Sequence, residues 1–203
     1  MKPAALTVLL LLGTGSAIAA PPVRDPDWPC QQIKVADLSI GALWNGPDLT
    51  AAMQHWSQDA EVASLAQRVA ERRMPLDQAE AAIKDFAHAA GGARREKLLA
   101  LAAGVFQTMN AERGQVVAGL DRFGKRQKQL AADIHADMDK LRAQQPDAGS
   151  NTAAQAGPLS GRLGWETRLF EQRRQEIAAA CDVPNRIEQR LYALEQTIQG
   201  LLS

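Results

Sequence analysis

Residues 94–142 read RREKLLALAAGVFQTMNAERGQVVAGLDRFGKRQKQLAADIHADMDKLR, and this stretch decides the fold. No proline interrupts 93–145, and apolar side chains return every seven residues in two registers. One register holds Leu99, Phe106, Arg113, Leu120, Gln127, Ile134 and Leu141; the other holds Ala102, Met109, Val116, Phe123, Leu130 and Asp137. A seven-residue repeat that is apolar at most of its positions keeps one stripe of a helix turned toward a partner helix. At ~1.5 Å per residue it predicts a helix roughly 70 Å long.

The partner helix is encoded further along the chain. A second repeat, apolar at nine of twelve positions, runs through Leu163, Phe170, Ile177, Pro184, Leu191 and Ile198, paired with Glu166, Arg173, Ala180, Ile187, Leu194 and Leu201. Between the repeats lies AQQPDAGSNTAAQAGPLSG at 143–161, rich in turn-forming residues and read as a flexible linker at a hairpin tip. The fold class expected is all-α: a long antiparallel coiled-coil-like helical hairpin, with two shorter N-terminal helices and an extended N-terminal arm. Pro184 falls inside the second long helix, 162–203, and predicts a kink near 184 because its ring clashes with the preceding turn. With the turn near 152, Cys181 is expected opposite Phe123.

Working outward, 48–142 reads as a helical region ending in the long helix. Asp48 follows Pro47 as an N-cap, and Leu49, Met53, Trp56, Ala60 and Ala63 follow at helical spacing, predicting a first helix to about Arg73. Pro75 stops it; Asp77 with Glu80 starts a second helix carrying Leu76, Ala79, Ile83, Phe86 and Ala90, which Gly91 and Gly92 end. Residues 20–47 contain Pro21, Pro22, Pro26, Pro29 and Pro47 and form the extended arm. Its Trp28, Ile33, Leu38, Ile40, Leu43 and Trp44 are expected to bury against the helices.

Residues 1–19 have the form of a signal peptide: Lys2, an apolar run from Ala4 to Leu12, and small residues at Ala17 and Ala19. The run is about half the ~20 residues that span a bilayer, and no later stretch reaches that length. Arg exceeds Lys 16 to 7 and alanine supplies 37 residues, which suggests a GC-rich bacterium and a periplasmic location. In an oxidising compartment Cys30 and Cys181 are read as one disulfide, within the chain or between chains. Their spacing matches neither a CxxC redox pair nor a CxxCH haem site, and two distant thiols are too few for zinc.

Lys+Arg 23 balances Asp+Glu 23, which argues against a nucleic-acid protein driven by bulk charge. Only nine residues are aromatic, which disfavours a sandwich or barrel. His55 with Asp59, Asp85 with His88, and His135 with Asp139 have the spacing of helix-surface pairs, and neither HxxxH nor HExxH occurs. The acidic group Asp133, His135, Asp137 and Asp139 alternates around a helix, so no metal and no cofactor are expected. Neither a GxSxG turn nor a P-loop is present, and no catalytic residue is expected. The basic doublets Arg72-Arg73, Arg94-Arg95 and Arg173-Arg174 are interleaved with acids and read as solvated faces.

The residues singled out are polar positions in the seam and the tryptophans. Arg113, Gln127, Glu166 and Arg173 either fix the pairing register or mark a seam that opens to admit a partner helix. Trp28, Trp44 and Trp56 are either a recognition surface or the closure of the core. The resulting expectation is an exported, non-catalytic interaction protein: an adaptor, accessory or scaffold subunit of a cell-envelope complex. Its partner is expected to be an envelope protein, with homo-oligomerisation also open, and no nucleic acid. The alternative is a periplasmic holdase-type chaperone or small-ligand binder, using an apolar concavity formed by the first two helices and the arm.

Overall fold

The computed structural model describes residues 25–144 and 150–202. The expected signal peptide at 1–19 and the centre of the expected tip lie outside the described residues. Among the described residues five α-helices follow in order: α1 Thr50–His55, α2 Ala60–Ala70, α3 Leu76–Ala89, α4 Arg94–Gln144 and α5 Ser150–Gly200. No strand occurs among the described residues. The long helices α4 and α5, of 51 residues each, form the antiparallel hairpin. The register joins Arg113 to Glu188, Gln127 to the carbonyl of Phe170, and Asp137 to Arg162. The turn is therefore centred near residue 150.

The two ends of the hairpin are packed differently. At the base, Leu98, Leu101, Val105 and Met109 of α4 meet Val62, Leu65 and Val69 of α2, Ile83 and Phe86 of α3, and Ile187, Leu191, Leu194 and Ile198 of α5. Each such aliphatic side chain contributes about 1.5–3 kcal/mol when fully buried. Close approach of α2 depends on Gly104, where a β-carbon would lie 2.6 Å from the Trp56 ring and 3.1 Å from Ala66. Arg190 locks the connection between α2 and α3, donating to the carbonyl of Val69 (2.7 Å), which the end of α2 leaves open, and to that of Met74 (2.8 Å) in the connection itself. Toward the tip the third layer is gone: in 121–143 only Gly124 and Asp137 are buried, and in 157–180 no residue is.

Several expected boundaries shift. The first helix does not run unbroken from Asp48 to Arg73; it divides into α1, a 3-10 turn at Trp56–Gln58, and α2. The restart has a local cause, because the Asp59 carboxylate accepts from the amides of Glu61 (2.9 Å) and Val62 (3.2 Å) and caps α2. Leu49, not Asp48, stands at the N-cap of α1, and the Asp48 side chain instead accepts from the amide and hydroxyl of Thr50. α3 starts at Leu76 behind Pro75, leaving Asp77 inside its first turn. Gly91, at φ +53°, adopts the left-handed conformation that follows α3.

The second long helix begins at Ser150, not 162, so residues 150–161 of the expected linker are helical. Ala153, Ala154 and Ala156 supply the helix propensity there. α5 also continues through Pro184 without a break. Pro184 withholds the amide that would donate to the Ala180 carbonyl, and at the next residue the carbonyl of Cys181 accepts from Gln32 Nε2 of the arm at 2.5 Å.

The arm, from Asp25, is irregular except for a 3-10 turn at Ile40–Ala42. Leu38, Ile40, Leu43 and Trp44 pack on the core as expected, whereas Ile33 is 70% exposed. Ile33 follows Gln32, whose side chain is tied to α5, and the irregular backbone leaves the neighbouring isoleucine outward.

Candidate functional site

Cys30 and Cys181 are joined in a disulfide within the chain, with Cα atoms 5.6 Å apart. The bond fixes the start of the arm across the hairpin, and a second fastening lies close by. Lys34 pairs with Asp25 at 2.8 Å and with Asp121 of α4, and these hydrogen bonds raise its affinity for the proton. The Asp27 carbonyl rests against Gly124, where any β-carbon would overlap it. Cys181 thus lies near the level expected from Phe123, whose ring shares a groove with Ile177 and Ala180.

The four polar seam residues separate into different environments. Arg113 is 4% exposed and joins α4, α5 and the arm: Nε donates to Glu188, and Nη1 donates to the carbonyls of Val35 and Ala36. Gln127 donates across the seam to the Phe170 carbonyl at 3.4 Å. Glu166 lies 3.7 Å from Arg162 and has one buried oxygen without a hydrogen bond. Arg173 is half-buried and forms no ion pair among the described residues. Nearer the tip, buried Asp137 accepts from Arg162 of α5 and from Lys140, and these hydrogen bonds hold its carboxyl below the usual range.

The tryptophans do not form one exposed surface. Each indole N–H has its own acceptor: the Gln32 carbonyl for Trp28, the Pro47 carbonyl for Trp44, and Gln107 Oε1 for Trp56, all at 2.7 Å. Trp44 is in the core and Trp56 packs on it from the side, while Trp28 lies within the arm with Lys34 over its ring. The histidine pairs are also dispersed. His55 meets Gln58 at 3.1 Å while Asp59 serves as a cap, and His88 and His135 are exposed. No group of three metal-ligating side chains occurs among the described residues.

Glu195 was not legible as a special residue. It has no exposed surface, both its oxygens lack a hydrogen bond, and burial pushes its carboxyl up to about 9. The heptad places it beside Leu194, at a position that a two-helix seam leaves at the edge. Its spacing does carry a signal: Glu195 lies seven residues after Glu188 and four before Gln199, both of which meet arm-linked groups.

Two of the concavities among the described residues have mainly apolar linings. An apolar groove of about 390 Å³ lies between Val116, Leu120 and Phe123 of α4 and Ile177, Ala180 and Val183 of α5, with exposed Arg126 and Glu176 beside it. A cleft of about 500 Å³ lies at the base, where α1 and the turn after it cross the start of α4. Ala52, Trp56, Leu99 and Ala100 are half-buried in it, and Asp48, His55, Asp59, Glu96 and Lys97 bring charge or polarity. No family model, curated protein or solved structure matches the chain.

Proposed function

We propose that this protein is an exported, non-catalytic scaffold of the cell envelope, and that the tip-side half of its hairpin receives an amphipathic helix of an envelope partner. The observation that carries this reading is where the third layer stops. Arg72, just past α2, pairs with Glu112 at 2.7 Å, and Val116, one turn further along the same face of α4, opens the apolar groove. A partner helix laid there would continue the packing that α2 begins, burying Phe123 and Ile177 with Arg126 and Glu176 at its edges. The disulfide and the form of residues 1–19 support export. No helix of the described residues is long and apolar enough to cross a membrane.

The test is photocrosslinking in cells from positions 126 and 176, with position 68 on the outer face of α2 as the control. The supporting result is one envelope protein captured from 126 and 176 but not from 68. Its purified form should bind one to one, and Ile177→Glu should abolish that binding. A broad set of unfolded clients supports a holdase instead, and capture of the chain itself supports a homo-oligomer; either result overturns the proposal.

A further inference from the structure

The cleft at the base is separate from the hairpin groove, and its chemistry points to a different kind of ligand. Its volume of about 500 Å³ falls within the range of small-molecule sites, roughly 300–1,000 Å³. The space exists because Ala51, Ala52, Ala93 and Ala100 present only methyl groups where α1 crosses α4. Trp56 closes one wall, held by its indole bond to Gln107 and seated on Gly104. That wall is rigid, aromatic and only half-buried.

The charges around this apolar floor are unequal. Asp48, Asp59 and Glu96 face one lysine, Lys97. Lys97 is already committed, lying 3.6 Å from Asp59 and 2.5 Å from Glu61, with the Phe86 ring 5.6 Å away. Asp48 and Glu96 therefore have no ion-pair partner among the described residues. Asp48 accepts two hydrogen bonds from Thr50, which favour its ionised form. The amide end of α4 lies in the same lining and by itself would favour an anion, but Glu96 occupies its first turn and offsets it. An aromatic wall beside uncompensated carboxylates suits a cation that also carries apolar surface.

We propose that this cleft binds an organic ammonium ion, its charged nitrogen at Asp48 and Glu96 and its apolar part against Trp56, Leu99 and Ala100. The proposal is independent of the scaffold reading. It is tested by calorimetric titration of the full mature chain with hexylammonium, 1-hexanol and hexanoate at low ionic strength. Hexylammonium should bind at least about tenfold more tightly than hexanol, and hexanoate should bind least. Glu96→Gln and Asp48→Asn should each weaken hexylammonium by roughly five- to tenfold, and the pair together by more. Ala51→Leu, at an exposed position, should fill the cleft and abolish binding without changing the circular dichroism spectrum. Hexanoate binding as tightly as hexylammonium overturns the proposal. So does hexylammonium binding that survives Ala51→Leu, or the absence of any binding heat up to about 10 mM.

Discussion

Arg113 Nε donates to Glu188 Oε1 at 2.5 Å, and Nη1 of the same guanidinium donates to the carbonyls of Val35 at 2.9 Å and Ala36 at 3.2 Å. One buried side chain thereby connects α4, α5 and the arm. Its planar fork satisfies a carboxylate and two peptide groups at once, which an aliphatic residue at the same heptad position could not do. The pairing of Arg113 across the seam and the anchoring of the arm therefore share one guanidinium.

Arg113→Ala is expected to cost about 2–4 kcal/mol in urea denaturation, because it strands two arm carbonyls and a partly buried carboxylate. Arg113→Lys should recover less than half, since one ammonium cannot reproduce the fork. Glu188→Gln should cost less, because Glu188 is 34% exposed and water can replace its partner. An alanine variant within about 0.5 kcal/mol of the parent would remove Arg113 from this role.

Glu195 predicts an unusual dependence of stability on pH. Unfolded, its carboxyl titrates near 4.5; folded, burial raises it to about 9. The folded state therefore holds the proton more tightly, so its contribution is complete below about pH 4.5 and is lost as pH rises toward 9. Glu195→Gln, which keeps the shape and cannot ionise, is expected to flatten stability across that window. The variant should exceed the parent by up to about 4–5 kcal/mol near pH 8 and match it near pH 4.5, as thermal melts in both buffers would show. Equal stability of the two proteins at pH 8 would contradict a buried, unpartnered carboxyl.

Gly124 and Cys30 report on one structural element and should not behave independently. A helix interior prefers alanine to glycine by about 1 kcal/mol, yet a methyl at 124 would overlap the Asp27 carbonyl. Gly124→Ala is therefore expected to destabilise the oxidised protein by about 1–3 kcal/mol. Cys30→Ser opens a link spanning 151 residues of sequence and should cost no more than about 5 kcal/mol while leaving most helicity in the far-ultraviolet spectrum. With the arm freed, Gly124→Ala should become neutral or stabilising. Additive effects in the double variant would show that the arm does not lean on that glycine. Loss of most helicity in Cys30→Ser would mean instead that the arm nucleates the fold.

Much of the candidate site was legible because helical periodicity and cysteine number are local or countable properties. Arg113, Gln127 and Glu166 stood out as polar breaks in an apolar repeat, and the structure places each against the facing helix or its own neighbouring arginine. Trp56 stood out for its type, but its seat on Gly104 could not be read from spacing, since the two residues belong to different helices. Glu195 was missed because a heptad describes contact between two helices, whereas its burial requires the further elements packed at the base. The break between α1 and α2 was missed for a related reason. The apolar spacing continues through Trp56 and Ala60, and the Asp59 cap can start a new helix only where the backbone at that residue is extended.

The sequence by itself determined that two long proline-poor repeats must pair, because seven-residue apolar spacing leaves a helix one stripe to bury and the chain carries two such stripes joined by a turn-rich segment. Two cysteines and a broken, apolar arm likewise indicated what would fasten to the hairpin. Only the tertiary structure decided where the third layer ends, how Arg113 shares its donors, and that Glu195 sits without a partner. Those outcomes depend on which segments, distant in sequence, cover the same patch of helix. Burial and hydrogen-bond satisfaction are properties of the assembled layers, and no single helix's periodicity contains them.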